Sequence, residues 1–377
     1  MLTENVDPAS LDVNTKKIDK ESSERLSILR FPLIIGVIFL HSGEAHVRLA
    51  SGIVGIDSPG SIEQFIRDMI SGSISRIAVP LFFLLSGYFF FLGFSFTKEN
   101  YIRKLKSRAK TLFIPYIFWN LLTVSILATA QSLPLTQQYF SGRYIPIASF
   151  SNQDLITALF GIGRAPFAYH FWFIRDLMIM VLLVPIVGYL IKINPPVLLV
   201  GIVSIWFFDL WPINMPSAVA FSFFSIGAYF ARHDTSLFVF DRSAPLLTVL
   251  YISILLFDVF TKGNSYNIYI HNFGILIGIV LILFLTQVIT RQGNIKKRLL
   301  TISKFSFFVF AIHEPMLTIT RKLVYRIAFF DFVNKSAISL LLYFSMPIFI
   351  ASLAILAYLT LNKITPGFLK IITGGRS

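Results

Sequence analysis

The sequence predicts an all-α fold, a polytopic membrane helix bundle of about ten transmembrane helices with both termini cytoplasmic. Three observations predict it. Of 377 residues, 55% are hydrophobic and only 14% charged, with 40 Phe, whereas a soluble domain carries about a quarter charged residues. Ten stretches approach the roughly 20 mostly apolar residues that a bilayer core requires. Finally, Lys and Arg gather on alternate connections. With the N-terminus inside, 22 of the 33 fall on the cytoplasmic side, the bias that the positive-inside rule describes.

This composition excludes a cytosolic enzyme and a secreted domain. The formal net charge of +14 invites a nucleic-acid partner, but the placement of the charges decides against one. The absence of Cys excludes disulfides, thiolate metal sites and cysteine-based acyl-enzymes, and leaves the redox compartment open.

Residues 1–25 are polar, mixed in charge and without an apolar run, the pattern of a disordered cytoplasmic tail. No cleavable signal peptide is visible. The integral-membrane domain runs from 26 to 361, and 362–377 form a short cytoplasmic tail. Spans are expected at 26–45, 74–94, 111–131, 170–191, 196–212, 214–231, 244–261, 267–289, 302–324 and 336–361. In the first, only Phe31 to Leu40 is uninterrupted. The fifth and sixth are short enough to pair as a hairpin around Trp211–Pro212. Two outer connections, 46–73 and 132–169, have the length of loops that carry function or cover something.

Ionisable groups within the spans are functional candidates because their insertion costs roughly 2.5–3.5 kcal/mol each. They are Arg30, His41, Arg76, Arg175, Asp176, Asp209, Asp258, His271, His313 and Glu314. For Asp209 and for Arg321, near helix ends, snorkelling to the headgroups is the plainer expectation.

Arg30 and His41 are the most informative pair. Eleven helical steps of about 100° return to within about 20° of one face, about 16 Å along the axis. One face thus offers an anion-binding group toward the cytoplasm and an acid/base group toward the outside. Ser86 and Gly87 are small residues in a bulky helix, where they allow close helix approach or leave a narrow channel.

The basic run containing Arg103, Lys104, Lys106, Arg108 and Lys110 reads either as positive-inside anchoring to anionic lipid or as a phosphate clamp. The run 291–298 offers further cations. Trp172 fits an interfacial belt. Arg175 and Asp176 are adjacent and so point about 100° apart, which predicts separate partners on other helices. His313 falls mid-span, and Pro315 frees a carbonyl one turn earlier, so a neutral His bonded to that backbone stands beside a direct role. His41 and His46, five apart, lack zinc-ligand spacing, and no HExxH is present. No metal is expected.

Taken in order, these motifs resemble the acyltransferase family 3 membrane proteins. Arg30-x10-His41 is similar to the family's Arg-x10-His signature, and Val79–Tyr88 (VPLFFLLSGY) to its PLFFxLSGY segment. Arg108 through Pro115–Tyr116 resembles the basic stretch before its PY helix. Trp172–Leu177 and Ser306 through His313-x-Pro315 resemble later motifs. The matches run from about 25 to 360, and the subgroup looks like bacterial inner-membrane O-acetyltransferases of surface polysaccharide. One departure stands out. The family often carries Arg-x-x-Arg in the cytoplasmic stretch, but after Arg108 the second arginine position holds Thr111. Lys110 or Lys104 is then the expected substitute, as a point charge and not a planar fork.

The resemblance implies acetyl transfer from cytosolic acetyl-CoA to a hydroxyl of a saccharide or glycolipid acceptor, within membrane lipid. Arg108, Lys110, Lys104 and Arg30 would hold the donor's phosphates, while its arm passes Ser86 and Gly87. His41 would act as general base or transient acyl carrier. Arg76, Trp172 or Arg175 would stabilise the oxyanion, Glu44 or Asp176 would orient His41, His313 would join the catalytic group, and Trp172, Glu44 and Glu314 would bind the acceptor substrate. A transporter or flippase for an envelope glycan or small solute, and a structural subunit of an export complex, are the competing classes. The lack of an inverted repeat weakens the transporter. CoA-dependent product against movement without covalent change separates it from the enzyme.

Overall fold

A computed structural model describes residues 18–140, 145–193, 195–329 and 335–376. Of the expected N-terminal tail, residues 1–17 lie outside the described residues. The remainder is not disordered: α1 (Lys20–Ile28) begins there, capped by the Asp19 carboxylate, which accepts from Ser22 N at 2.8 Å. Tertiary bonding explains the difference. Arg25 is buried, pairs with Asp241 at 2.7 Å, and donates to Leu283 O and the Thr286 hydroxyl. Its guanidinium also lies 3.5 Å from the Phe238 ring centroid.

After the Leu29 junction, α2 (Arg30–His41) is entirely apolar between its two named ends. The connection that follows holds the described residues' one departure from an all-α fold, a hairpin of β1 (His46–Leu49) and β2 (Gly52–Gly55), with Val47 opposite Val54. Next come α3 (Ser61–Ile70), a 3-10 turn at Ile74–Ile77, and α4 (Ala78–Phe91).

The stretch expected as a basic connection is itself helical. α5 (Lys98–Arg108), capped by Thr97, runs through a π-turn at Ala109–Phe113 into α6 (Ile114–Ser132). Lys, Arg, Glu and Leu are strong helix formers, so the chain has no reason to break before Pro115, which sits in the first turn where a proline costs little. Beyond α7 (Pro134–Gln137), α8 (Asn152–Phe160) starts with a Ser151/Asp154 capping box and ends at Gly161, whose φ is 67°.

A 3-10 turn at Tyr169–Phe171 leads into α9 (Trp172–Leu182), which bends by 61° into α10 (Val184–Ile193). α11 (Pro195–Phe207) and α12 (Ala218–Arg232) pack together across the Trp211–Pro212 region, as do α13 (Ala244–Phe260) and α14 (Asn267–Arg291). α15 (Gly293–Ser303) meets α16 (Ser306–Ala328) at 62°, and α17 (Lys335–Ile364) and α18 (Pro366–Ile372) complete the chain.

Each expected span contains a helix, but length and composition single out fewer. Among the described residues four helical stretches are long and apolar enough to cross a membrane: Ser61–Phe91, Lys98–Ser132, Asn267–Arg291 and Lys335–Ile364. Counting each bent pair as one span raises this to six. The core is aromatic, built around Phe83, Phe90, Phe223, Phe224 and Phe308, all essentially inaccessible. α4 and α12 cross most closely. A Cβ on Gly87 would lie 2.0 Å from Phe224 O, and one on Gly227 1.9 Å from Leu84 O. Gly87 therefore serves helix approach, the first of the two roles open to it.

Candidate active site

A cavity of about 1010 Å³ opens among α2, α4, α9 and α16, and both Arg30 and His41 line it. The helical period that aligned them in the sequence is realised within a single 12-residue helix. Between these ends the walls are mainly apolar, including Ile34, Val37, Pro80, Phe82 and Leu85, with Ser86 among them. Arg76 and Trp172 also face the cavity, as does Arg108.

The surroundings of His41 differ from the expectation. Glu44 is exposed and contributes only its carbonyl, which accepts from Arg321 at 2.6 Å. Asp176 is fully buried, but it accepts from Arg175 Nε at 2.9 Å and from Ser217 N at 2.8 Å, where it anchors the start of α12. Neither carboxylate orients the histidine. Arg175 and Asp176 do have the separate partners expected of them, but they also pair with each other, because the long Arg175 side chain turns back across the 100° between them and its Nη2 reaches 2.8 Å. Arg175 also donates to Gly161 O at 2.7 Å, and neither residue lines the cavity.

The group that meets His41 is Tyr169. Its hydroxyl lies 3.0 Å from His41 Nδ1 and donates to Glu314 Oε1 at 3.1 Å. With Glu314 as a carboxylate the hydroxyl proton goes to it, and His41 Nδ1–H then donates to the Tyr169 oxygen and leaves Nε2 unprotonated. Tyr169 sits on the 3-10 turn before α9, and the turn is held from α6. Asn120, fully buried, donates to Tyr116 O and accepts from Ala168 N at 3.0 Å.

Arg321 holds the other side of this site. It does not extend to a headgroup region alone: its guanidinium donates to the carbonyls of His41, Glu44 and His46. These are the last residue of α2 and the chain leaving it.

Glu314 is nearly inaccessible and lies at a non-helical position (φ −113°, ψ 136°) inside α16, before the cis bond to Pro315. His313 is fully buried and its Nδ1 donates to Phe310 O at 2.6 Å. The carbonyl one turn before Pro315 belongs to Ala311, and it is His170 that donates to it, through Nε2 at 3.2 Å. Ring centroids place His313 at 5.4 Å from His41 and 4.7 Å from His170. His271 also lines the cavity and bonds Asp258 at 3.1 Å, and Asp258 further accepts from Ser73, Lys262 and Asn267. No group of three or more His, Asp or Glu among the described residues is arranged to hold a metal ion.

At the Arg30 end the expected substitutes for a second arginine are elsewhere. Lys104 donates to Phe90 O at the end of α4 and lies over the Phe90 and Phe94 rings. Lys110 is exposed and does not line the cavity. In the run 291–298, Lys296 pairs with Glu24 at 2.9 Å. The cations that do line this end with Arg30 and Arg108 are Lys304 and Arg376.

The acyltransferase domain matches residues 24–360 of the chain. The chain is also similar to the succinoglycan biosynthesis protein ExoH of Rhizobium meliloti (strain 1021), with 22% identity over 370 residues, covering 96% of this chain and 94% of the relative. No solved structure matches it. The family match extends from α1 to α17 and includes every wall of the cavity except Arg376; the chain belongs to acyltransferase family 3 and is an acyltransferase.

Proposed function

We propose that this acyltransferase moves an acetyl group from cytosolic acetyl-CoA to a hydroxyl of a cell-surface or lipid-linked saccharide. It would do so in a bacterial inner membrane, crossed about ten times, with both termini cytoplasmic. The observation that carries this reading is the polarity of one cavity: Arg30 and Arg108 at one end, His41 at the other, and apolar walls between. A phosphate-rich thioester fits that gradient, with its anionic portion on the guanidinium groups and its thin arm beside Ser86. The relative named for succinoglycan biosynthesis supports a glycan acceptor.

In this mechanism His41 Nε2 takes the proton of the acceptor hydroxyl as its oxygen bonds to the acetyl carbonyl carbon. Arg76 and Trp172 face the cavity and supply donors for the oxyanion. The C–S bond then breaks, and the departing thiolate recovers the proton from His41. Tyr169 and Glu314 keep the imidazole in the tautomer that this step needs. The same free Nε2 serves a transient acyl-histidine, which acid-quenched labelling of the protein would reveal.

Inverted membrane vesicles supplied with labelled acetyl-CoA and extracted host glycolipid test the reading. Free CoA and label in glycan are its expected products. Movement of glycan without covalent change would replace it with a carrier.

A further inference from the structure

Beyond α18 the chain doubles back through Gly374 and Gly375, whose φ values are 63° and 76°. A Cβ on Gly374 would lie 2.6 Å from the Thr111 carbonyl oxygen and 2.7 Å from its Cα. Glycine is thus required both for its conformation and for its lack of a side chain. The turn is held from both flanks. Trp119 Nε1 donates to Ile372 O at 3.0 Å, the Thr373 hydroxyl donates to Leu369 O at 2.7 Å, and Leu369 and Ile372 are buried.

The turn carries Arg376 into the basic end of the cavity. Its guanidinium lies 4.3 Å from the Phe307 ring centroid, and its Nη1 is buried without a hydrogen-bond partner among the described residues. Burial, with the neighbouring charges of Arg108 and Arg30, pushes the guanidinium down to about 10. None of Arg30, Arg108, Lys304 and Arg376 pairs with a carboxylate among the described residues. The nearby ion pairs, Arg25–Asp241 and Lys296–Glu24, involve other residues. Cations gathered without counter-charge repel one another, and a ligand with several anionic oxygens relieves that repulsion while satisfying the free N–H groups.

We propose that Arg376, delivered by the Gly374–Gly375 turn, completes with Arg30 and Arg108 a binding site for the phosphate groups of a nucleotide thioester donor. This rests on the acetyl-CoA reading above. The turn packs against the backbone of Thr111, in the π-turn that follows Arg108. An arginine from a distant segment thus stands beside Arg108 at the basic end of the cavity, and the missing side chain of Gly374 is what admits the close approach.

The test uses the full chain in nanodiscs, with and without phosphatidylglycerol. Calorimetry measures dissociation constants for coenzyme A and, separately, inorganic pyrophosphate. Arg376→Ala is expected to weaken both by about tenfold or more, the loss of a charge-assisted contact. Gly374→Val should do the same by displacing the turn, Arg376→Lys should lose less, and Lys106→Ala, an exposed charge on α5, should match wild type. Thermal unfolding of each variant confirms that the binding loss is local. Coenzyme A bound equally by wild type and Arg376→Ala overturns the proposal and leaves the donor reading standing. Arg376-dependent binding of pyrophosphate without binding of coenzyme A overturns the donor reading and the proposal with it, and leaves Arg376 in a site for another phosphate ligand. Tighter coenzyme A binding by Arg376→Ala also overturns the proposal, as the segment would then obstruct the cavity. A site for lipid phosphate instead would show as pyrophosphate binding lost only in the anionic nanodiscs, with coenzyme A insensitive to Arg376.

Discussion

The Tyr169 hydroxyl stands between His41 and Glu314, 3.0 Å from the imidazole Nδ1 and 3.1 Å from the carboxylate. Glu314 is buried and His41 half-buried, while Tyr169 between them is exposed. The link fixes which imidazole nitrogen is free. Tyr169→Phe should lower kcat by about tenfold to a hundredfold, within the range that general base catalysis commands. The KM for the acyl donor should hardly change. Steady-state kinetics in nanodiscs check this, and an equal fall in donor affinity would instead place Tyr169 on the donor.

Arg321 acts on the same histidine through the backbone. Arg321→Gln leaves three carbonyls around the end of α2 without their shared donor. The expected result is a reduced kcat, with a local rise in amide hydrogen exchange over residues 41–46. Unchanged exchange there would show that the chain leaving α2 is held by the hairpin and by Arg67, which donates to Ser42 O and Gly43 O.

The α4–α12 crossing sets a stability prediction. With a Cβ at Gly227 only 1.9 Å from Leu84 O, Gly227→Ala must push two backbones apart. Overpacking of this kind costs about 1–3 kcal/mol, and contact with backbone, which cannot rotate away, argues for the upper part of that range. Fluorescence-monitored thermal unfolding should give a lower Tm, whereas Gly201→Ala, where nothing lies within 4 Å, should not.

Arg25 makes an equally specific case at the other end of the molecule. Arg25→Met removes the charge that faces Asp241 together with the donors to Leu283 and Thr286. Breaking one half of a fully buried pair costs about 3–5 kcal/mol, and because Asp241 is only half-buried the expected loss lies below that range. Arg25→Met combined with Asp241→Leu should recover part of that loss. A double variant no better than the single would assign the effect to the Leu283 and Thr286 bonds.

How far the sequence reaches depends on whether a relation is local. Arg30 and His41 were legible because one helix carries both, and the period of the helix alone decides that they share a face. Ser86 and Gly87 were legible as small residues, but only the position of α12 separates a wall of the cavity from a contact between backbones. Tyr169 was not legible. It precedes α9 in a long connection, and its placement depends on Asn120, some fifty residues earlier. Asp176 was misread because a rule about Cβ directions ignores the reach of an arginine side chain. Arg376 was hidden for the same reason as Tyr169: a distant turn, fitted against Thr111, puts it in place.

The proposed membrane arrangement can be read out directly because the chain lacks Cys. Ser107→Cys, on α5, should react with an impermeant maleimide only in inverted vesicles, and Ser58→Cys, between the hairpin and α3, only in right-side-out ones. The opposite pattern would place the basic end of the cavity outside and separate it from a cytosolic donor.

The measurement closest to the central claim is acetyl transfer in inverted vesicles by wild type and His41→Ala, with folding of both verified by size-exclusion profile and Tm. Wild type should release CoA and label glycan. His41→Ala should retain coenzyme A binding at the distant basic end yet transfer about 10²–10⁴ times more slowly. Transfer by a folded His41→Ala protein at the wild-type rate would contradict the account and turn attention to His271, which also lines the cavity and bonds Asp258.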